Sequence, residues 1–284
     1  MYSPQPIPQK LEKFLEDARR KAAQQSPRER IARQLHIPGL GELMRAMPNH
    51  IARSSLYAPI ARGKRKFHHD TLLAARCDAV MTYTGEQLDE ADADLTFQLI
   101  FEARSCVLGQ PVTLNRASLL RAIGRNTGKS DYEWLHRRMK AMTVATLFVE
   151  TTKYRIGHTE AFHIIQRFCF DDDVGNYTFS LDPRWVELFG NREYALLDWN
   201  KRLAIKRGQD MAKALQRLVA TSSDKIQHHS LKCLKDKFHY ASPMHKFKES
   251  MKAAMSELER VEIIANARFG LSTKRQEQVV WLRL

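Results

Sequence analysis

Between residues 243 and 258 apolar side chains return at helical spacing: Met244, Phe247, Met251, Ala254, Met255 and Leu258. The period predicts a helix with one buried face, and Ser242 followed by Pro243 supplies a cap and a first-turn proline. The opposite face carries His245, Lys246, Glu249, Lys252, Ala253 and Ser256, a mix of charge, hydrogen-bonding groups and small side chains that lets a partner approach. Two alternating runs come next, 261–269 and 276–284, joined by a segment that reads as a hairpin with Lys274 and Arg275 at a basic tip. A helix followed by such a hairpin is the second half of a winged helix.

At the start of the chain, residues 7–25 predict a short amphipathic arm with Leu11, Phe14, Leu15 and Ala18 on one stripe. Ser26-Pro27 and then Pro38-Gly39 interrupt the next two dozen residues, so 1–49 is taken as an appended basic arm. The cluster Arg62-Gly63-Lys64-Arg65-Lys66 is either a phosphate contact or a solvated basic turn, and 77–84 reads as a strand. Glu86, Asp89, Glu90, Asp92 and Asp94 crowd the start of a strongly apolar helix, where acids favour the positive end of the helix dipole.

A second short helix ends at Gly124, and Ser130 with Glu133 predicts a capping box for a third, with Leu135, Met139 and Met142 inward and Arg137 and Lys140 outward. Helix, glycine turn and helix is helix-turn-helix spacing. Residues 143–151, 161–170 and 177–181 then read as strands, the last two forming a hairpin. A short helix follows Leu181-Asp182-Pro183, and 201–207 forms a basic bridge to further helices around Leu215 and Leu234. Three helices and a hairpin therefore occur twice. The expected fold is α+β: an arm over 1–49, a first winged helix over 50–190 and a second over 191–284.

Charge sharpens this picture. The 284 residues carry a net +14, and from Lys201 onward 18 Lys/Arg stand against 8 Asp/Glu, so +10 of the excess lies there. Such a balance points to a polyanion, nucleic acid ahead of a membrane surface. The four cysteines form no CxxC pair, no apolar run reaches membrane-spanning length, and the start has no secretory pattern; a reduced cytoplasm is expected.

Candidate catalytic chemistry is sparse. Gly124-Arg125-Asn126-Thr127-Gly128-Lys129-Ser130 is one residue short of a phosphate-cradling P-loop and comes after a helix where that loop needs a strand. His68-His69 and His228-His229 are adjacent pairs, which on a strand point to opposite faces and do not share a metal. The HxH triplet that DNA-nicking initiators use to hold a metal beside a nucleophilic tyrosine is absent, which leaves Tyr57 and Tyr83 as ordinary tyrosines. No enzymatic activity, metal or cofactor is expected.

The stretch from Asn49 to Leu56, the basic cluster ending at Lys66, and above all Thr84-Gly85-Glu86-Gln87-Leu88-Asp89-Glu90-Ala91-Asp92-Ala93-Asp94 resemble the TrfA family of plasmid replication initiators. So do Leu119-Leu120-Arg121-Ala122-Ile123-Gly124-Arg125, the Ser130-Asp131-Tyr132 helix start and Leu181-Asp182-Pro183. The resemblance implies two winged helices that bind direct repeats (iterons) in double-stranded DNA at a plasmid origin. It further implies opening of adjacent AT-rich DNA, with contacts to the exposed single strand, and recruitment of the host helicase and host initiator. Members also engage the host sliding clamp through a Gln-Leu motif, for which Gln87-Leu88 is the matching position, although Glu90-Ala91 departs from the Leu-Phe ending. The family's active form is a monomer on DNA, with homodimers acting in copy control. A transcriptional regulator on the same fold is the alternative, and a nicking enzyme a more distant one.

Overall fold

The computed structural model describes residues 41–59, 65–75, 79–151, 161–171, 175–189 and 193–284. The expected arm helix over 7–25, residues 62–64 of the basic cluster and Cys77 lie outside them. Among the described residues no helix is long and apolar enough to cross a membrane.

The first strand comes earlier than the sequence suggests. Strand β1 (Met44–Pro48) pairs antiparallel with β9 (Tyr194–Asp198), and Ala46 and Met47 are fully buried between them and the helices. Residues 44–49 therefore belong to the first body and not to an arm. A single turn, α1 (Asn49–Ala52), leads on to β2 (Phe67–Leu72) and β3 (Ala79–Glu86), which join β5 (Thr146–Thr151) and β6 (Ala161–His163) in a sheet of order β2-β3-β5-β6.

Helix α2 (Glu90–Glu102) runs through the centre of this body and is buried on every side. Its acidic start is a capping box. The Asp89 carboxylate accepts from the backbone N–H of Ala91 and Asp92, while Asp92 accepts from that of Asp89 at 2.9 Å. Then come β4 (Val112–Asn115), α3 (Arg116–Ala122) and α4 (Lys129–Val144). Asn115 caps α3, and Gly124, at φ +71°, closes the turn after it. The expected Ser130–Glu133 capping box is not formed: extended Gly128 is the N-cap, and both side chains lie inside the helix, facing solvent.

The expected strands after α4 are also redrawn. Thr143 and Val144 finish the helix, and the apolar run from 161 divides into β6 and β7 (Ile165–Asp171), which belong to different sheets. Consecutive buried residues, Ile164 and Ile165, mark the switch, because a strand that keeps one core face buries only every second side chain. Strand β8 (Asn176–Leu181) sits between β4 and β7, and α5 (Trp185–Leu188) leads towards β9.

The second body repeats that connectivity. After α6 (Trp199–Ala204), the linker, come α7 (Asp210–Ala220), β10 (Ile226–Ser230), α8 (Leu231–Lys237), α9 (Met244–Arg260), β11 (Ile264–Leu271) and β12 (Glu277–Arg283). Helix, strand, helix, helix and hairpin is the order of α7-β10-α8-α9-β11-β12 and, with β5 and β6 inserted after α4, of α2-β4-α3-α4-β7-β8. In both sheets, β4-β8-β7 and β10-β12-β11, the last strand lies in the middle. The first apolar core runs from Ala46 to Trp199 and the second from Ile205 to Trp281. The division therefore falls in α6 and not at residue 191.

Candidate nucleic-acid interface

In α9 the buried stripe is the expected one. Phe247, Met251, Ala254 and Leu258 have no exposed surface, and Met255 almost none. Burying Phe, Met or Leu contributes roughly 1.5–3 kcal/mol per side chain, enough to fix the rotation of the helix. That rotation turns His245, Lys246, Glu249, Lys252, Ala253 and Ser256 to solvent. The helix begins at Met244, one residue later than expected, with Pro243 as a cap that makes no side-chain bond.

Neighbouring elements hold the front of α9. The Tyr240 hydroxyl hydrogen-bonds to Ser250 Oγ at 2.8 Å, and its ring lies against Phe247. Lys248 pairs with Glu277, the first residue of β12 beside the turn of the β11-β12 hairpin. The hairpin tip is tied by Ser272, whose N–H donates to the Gln276 carbonyl and whose carbonyl accepts from Arg275 N–H, both at 2.8 Å. Lys274 and Arg275 are exposed at this tip, and the Lys248–Glu277 pair sets the basic turn beside the first turns of α9. Arg268, exposed on β11, adds a cation the sequence pattern did not single out.

Not every charge on this face is free. Lys246 and Glu249 form an ion pair at 3.0 Å with both side chains more than half exposed. Such a pair is worth little and breaks readily for a better partner.

In the first body Arg137 and Lys140 are exposed on α4 as expected, but Arg138 between them is buried. Its guanidinium donates to Asp92 of α2 and to Glu86 of β3, both at 2.6 Å. Arg65 is likewise structural. It pairs with Asp89 and Asp92 and donates to the Gln87 carbonyl at 2.6 Å, closing the cap of α2. Of the basic cluster, Lys66 is exposed.

The Gln87-Leu88 position does not have the geometry of a docking motif. Leu88 has no exposed surface, bridges Tyr57 and accepts from Ala58 N–H, and Gln87 N–H donates to the Lys66 carbonyl. Leucine is drawn into the core just before α2, so the peptide cannot be lifted into a partner's groove without unfolding the cap. Tyr57 and Tyr83 are equally enclosed: Tyr57 donates to Thr96 Oγ1 at 2.9 Å and Tyr83 to the Glu86 carbonyl at 2.7 Å. Burial raises both phenol pKa values well above the ordinary range, and neither oxygen is placed as a nucleophile.

The chain thus carries two exposed basic helices, α4 and α9, each beside a hairpin. The sequence model of the family described as TrfA protein matches residues 8–270. The chain belongs to the TrfA family. Its relatives include the plasmid replication initiator protein TrfA of Escherichia coli, 26% identical over 168 residues, a match covering 56% of this chain and 43% of that protein. The chain therefore spans less than half the length of that curated TrfA relative. Crystal structures of domains 2 and 3 of RctB share the fold at 10% identity, with TM-scores of 0.50 and 0.51; each match covers 80% of this chain and 94% or 95% of the other.

The TrfA-like acidic stretch also has a role that the sequence reading missed. Glu90 and Asp94 are buried, and their partners Arg202, Lys213 and Arg217 come from α6 and α7. Acids spaced four apart at the start of a strongly apolar helix were the available signal, since charges at such positions need buried partners.

Proposed function

We propose that the protein is a cytoplasmic plasmid replication initiator that grips direct repeats at its origin with two winged helices, α4 with β7-β8 and α9 with β11-β12. The observation that carries this reading is the repeated connectivity with the last strand central in both three-stranded sheets. Membership of the TrfA family supports a role at a replication origin over the other functions such a fold serves. The exposed set on α9 reads base edges in a major groove, and Lys274 and Arg275 hold phosphate or the minor groove beside it. Arg137 and Lys140 supply the first body's contact. Binding of adjacent repeats strains the neighbouring AT-rich DNA, and the bound protein recruits the host helicase and host initiator without chemistry of its own. The monomer is the DNA-bound form in this reading.

Footprinting on the parental plasmid tests it. Protection of several adjacent repeats beside an AT-rich tract is expected. Protection of one operator over a promoter would make the protein a transcriptional regulator instead, and a strand break would make it a nicking enzyme.

A further inference from the structure

We infer that Glu90 and Asp94 of α2, with Arg202, Lys213 and Arg217 of α6 and α7, lock the two bodies in register and thereby set the half-site spacing that the protein accepts. The inference rests on the proposed function, in which each body contacts one half of a repeat.

Along the chain the apolar cores divide between Trp199 and Ile205; Ala220 of α7 packs against the first core, and beside that contact charged groups join the two bodies. Arg202 donates through Nε to Asp94 Oδ1 at 2.7 Å and through Nη2 to Glu90 Oε2 at 2.8 Å. Its remaining nitrogen, Nη1, bonds the Lys213 carbonyl at 2.6 Å. Arg217 Nη2 reaches Glu90 Oε1 at 2.5 Å and the Tyr57 carbonyl at 2.6 Å, and Nη1 reaches the Ala52 carbonyl at 3.1 Å. Lys213 closes the set on Asp94. Glu90 Oε1 thus holds Arg217, and Oε2 holds Arg202 with Arg217 Nε also on it at 3.3 Å; Glu90, Arg202 and Arg217 are all within 1% of full burial.

An apolar junction tolerates sliding, because methyl groups have no preferred partner. Forked charge-assisted bonds do not, because a small slip leaves buried charges unpaired. The charges stand at i and i+4 on both helices, 90 and 94 against 213 and 217. A slip of one turn, about 6 Å, would restore only one of these two pairs. A change of one base pair moves the half-sites by about 3.4 Å and turns one against the other by about 35°, and so falls between pairings.

The lock is also connected to both reading helices. Asp92, two residues from Glu90, holds Arg138 of α4, and α7 packs along α9. The five residues are positioning residues: none of them is offered to DNA, and they act through the helices they hold.

The test uses the full chain and mobility shifts on a single repeat, on the repeat with one base pair inserted or removed at its centre, and on each isolated half. The native protein should lose on the order of 100-fold in affinity for the altered spacings. In Asp94→Asn that penalty should fall below about 10-fold, with affinity for the isolated halves unchanged. Should Asp94→Asn fail to fold, Lys213→Met, altered at the rim of the network, decides with the same comparison. A folded variant that keeps the full spacing penalty overturns the lock. Native protein that binds the repeat specifically yet ignores spacing overturns it too while leaving origin binding intact, and native protein with no preference for the repeat overturns both.

Discussion

Arg138 and Asp92 meet as a buried fork, Nε to Oδ1 at 2.6 Å and Nη2 to Oδ2 at 3.1 Å, with neither side chain more than 2% exposed. The pair fastens the exposed face of α4 to the central helix. Truncating Arg138 removes two bonds from the buried Asp92 carboxylate and leaves Arg65 as its remaining guanidinium, so Arg138→Ala should cost about 3 kcal/mol, the lower end for a broken buried pair. Its neighbour Arg137 is exposed, and Arg137→Ala should stay within about 0.5 kcal/mol of the native stability while weakening protection at one end of each repeat. Urea denaturation and footprinting of the two variants separate the roles; equal loss of stability in both would contradict the assignment.

Periodicity made α9 legible, because its inward face carries an unbroken apolar stripe and the outward residues follow by elimination. The helix–glycine–helix pair α3 and α4 was legible for the same reason. Strand β1 was not, since five residues hold too few alternations to register and their partner β9 lies at the far end of the first body. Strand β10 was hidden by its polarity: only Gln227 of its five residues is buried, and it is held there by bonds to Trp281 Nε1 and the Val219 carbonyl. Charge was hardest to interpret. Glu90 and Asp94 sit where a helix dipole welcomes acids, and a local explanation concealed partners that come from the other body.

His229 of β10 should make stability depend on pH. Its ring stacks on Trp281 at 4.9 Å, and burial, with Lys237, Arg53 and His228 nearby, pushes its pKa down to about 4. Between that value and the unfolded value near 6.5 the unfolded chain binds the extra proton, so stability is complete above about 6.5 and falls as the pH drops towards 4. From pH 7 to pH 5 the contribution is on the order of 2 kcal/mol. His229→Phe keeps the stack, removes the titration and should flatten this part of the profile in urea melts at the two pH values. An unchanged slope would place the titration elsewhere.

Affinity for the origin should depend steeply on salt. The +10 excess from Lys201 onward is carried in part by exposed Lys274, Arg275, Arg268 and Lys252, and each neutralised phosphate contributes about −0.9 to the slope of log K against log salt. Six or more contacts give a slope of about −5 or steeper. A slope near zero, measured by titration at several salt concentrations, would remove phosphate neutralisation as the source of affinity.

Lys252 and Lys274 are both exposed cations on the second body, yet their settings differ. Lys252 lies on the solvent face of a helix whose rotation is fixed by fully buried Phe247, Met251 and Leu258, with small Ala253 and Ser256 alongside to let a base edge come near. Lys274 stands exposed on a two-strand tip next to Arg275, where the backbone turns through positive φ. A cation fixed against a groove floor discriminates between sequences, whereas one on a tip meets phosphate in any sequence. Lys252→Ala should therefore cost about 1–3 kcal/mol on the repeat and narrow the gap to scrambled duplex, while Lys274→Ala should weaken both alike and make the salt slope shallower by about one unit. Titrations of both variants on repeat and scrambled DNA at one fixed salt concentration decide this. Equal losses on the two duplexes for Lys252→Ala would make α9 a backbone contact, and base reading would then fall to Arg137 and Lys140 on α4.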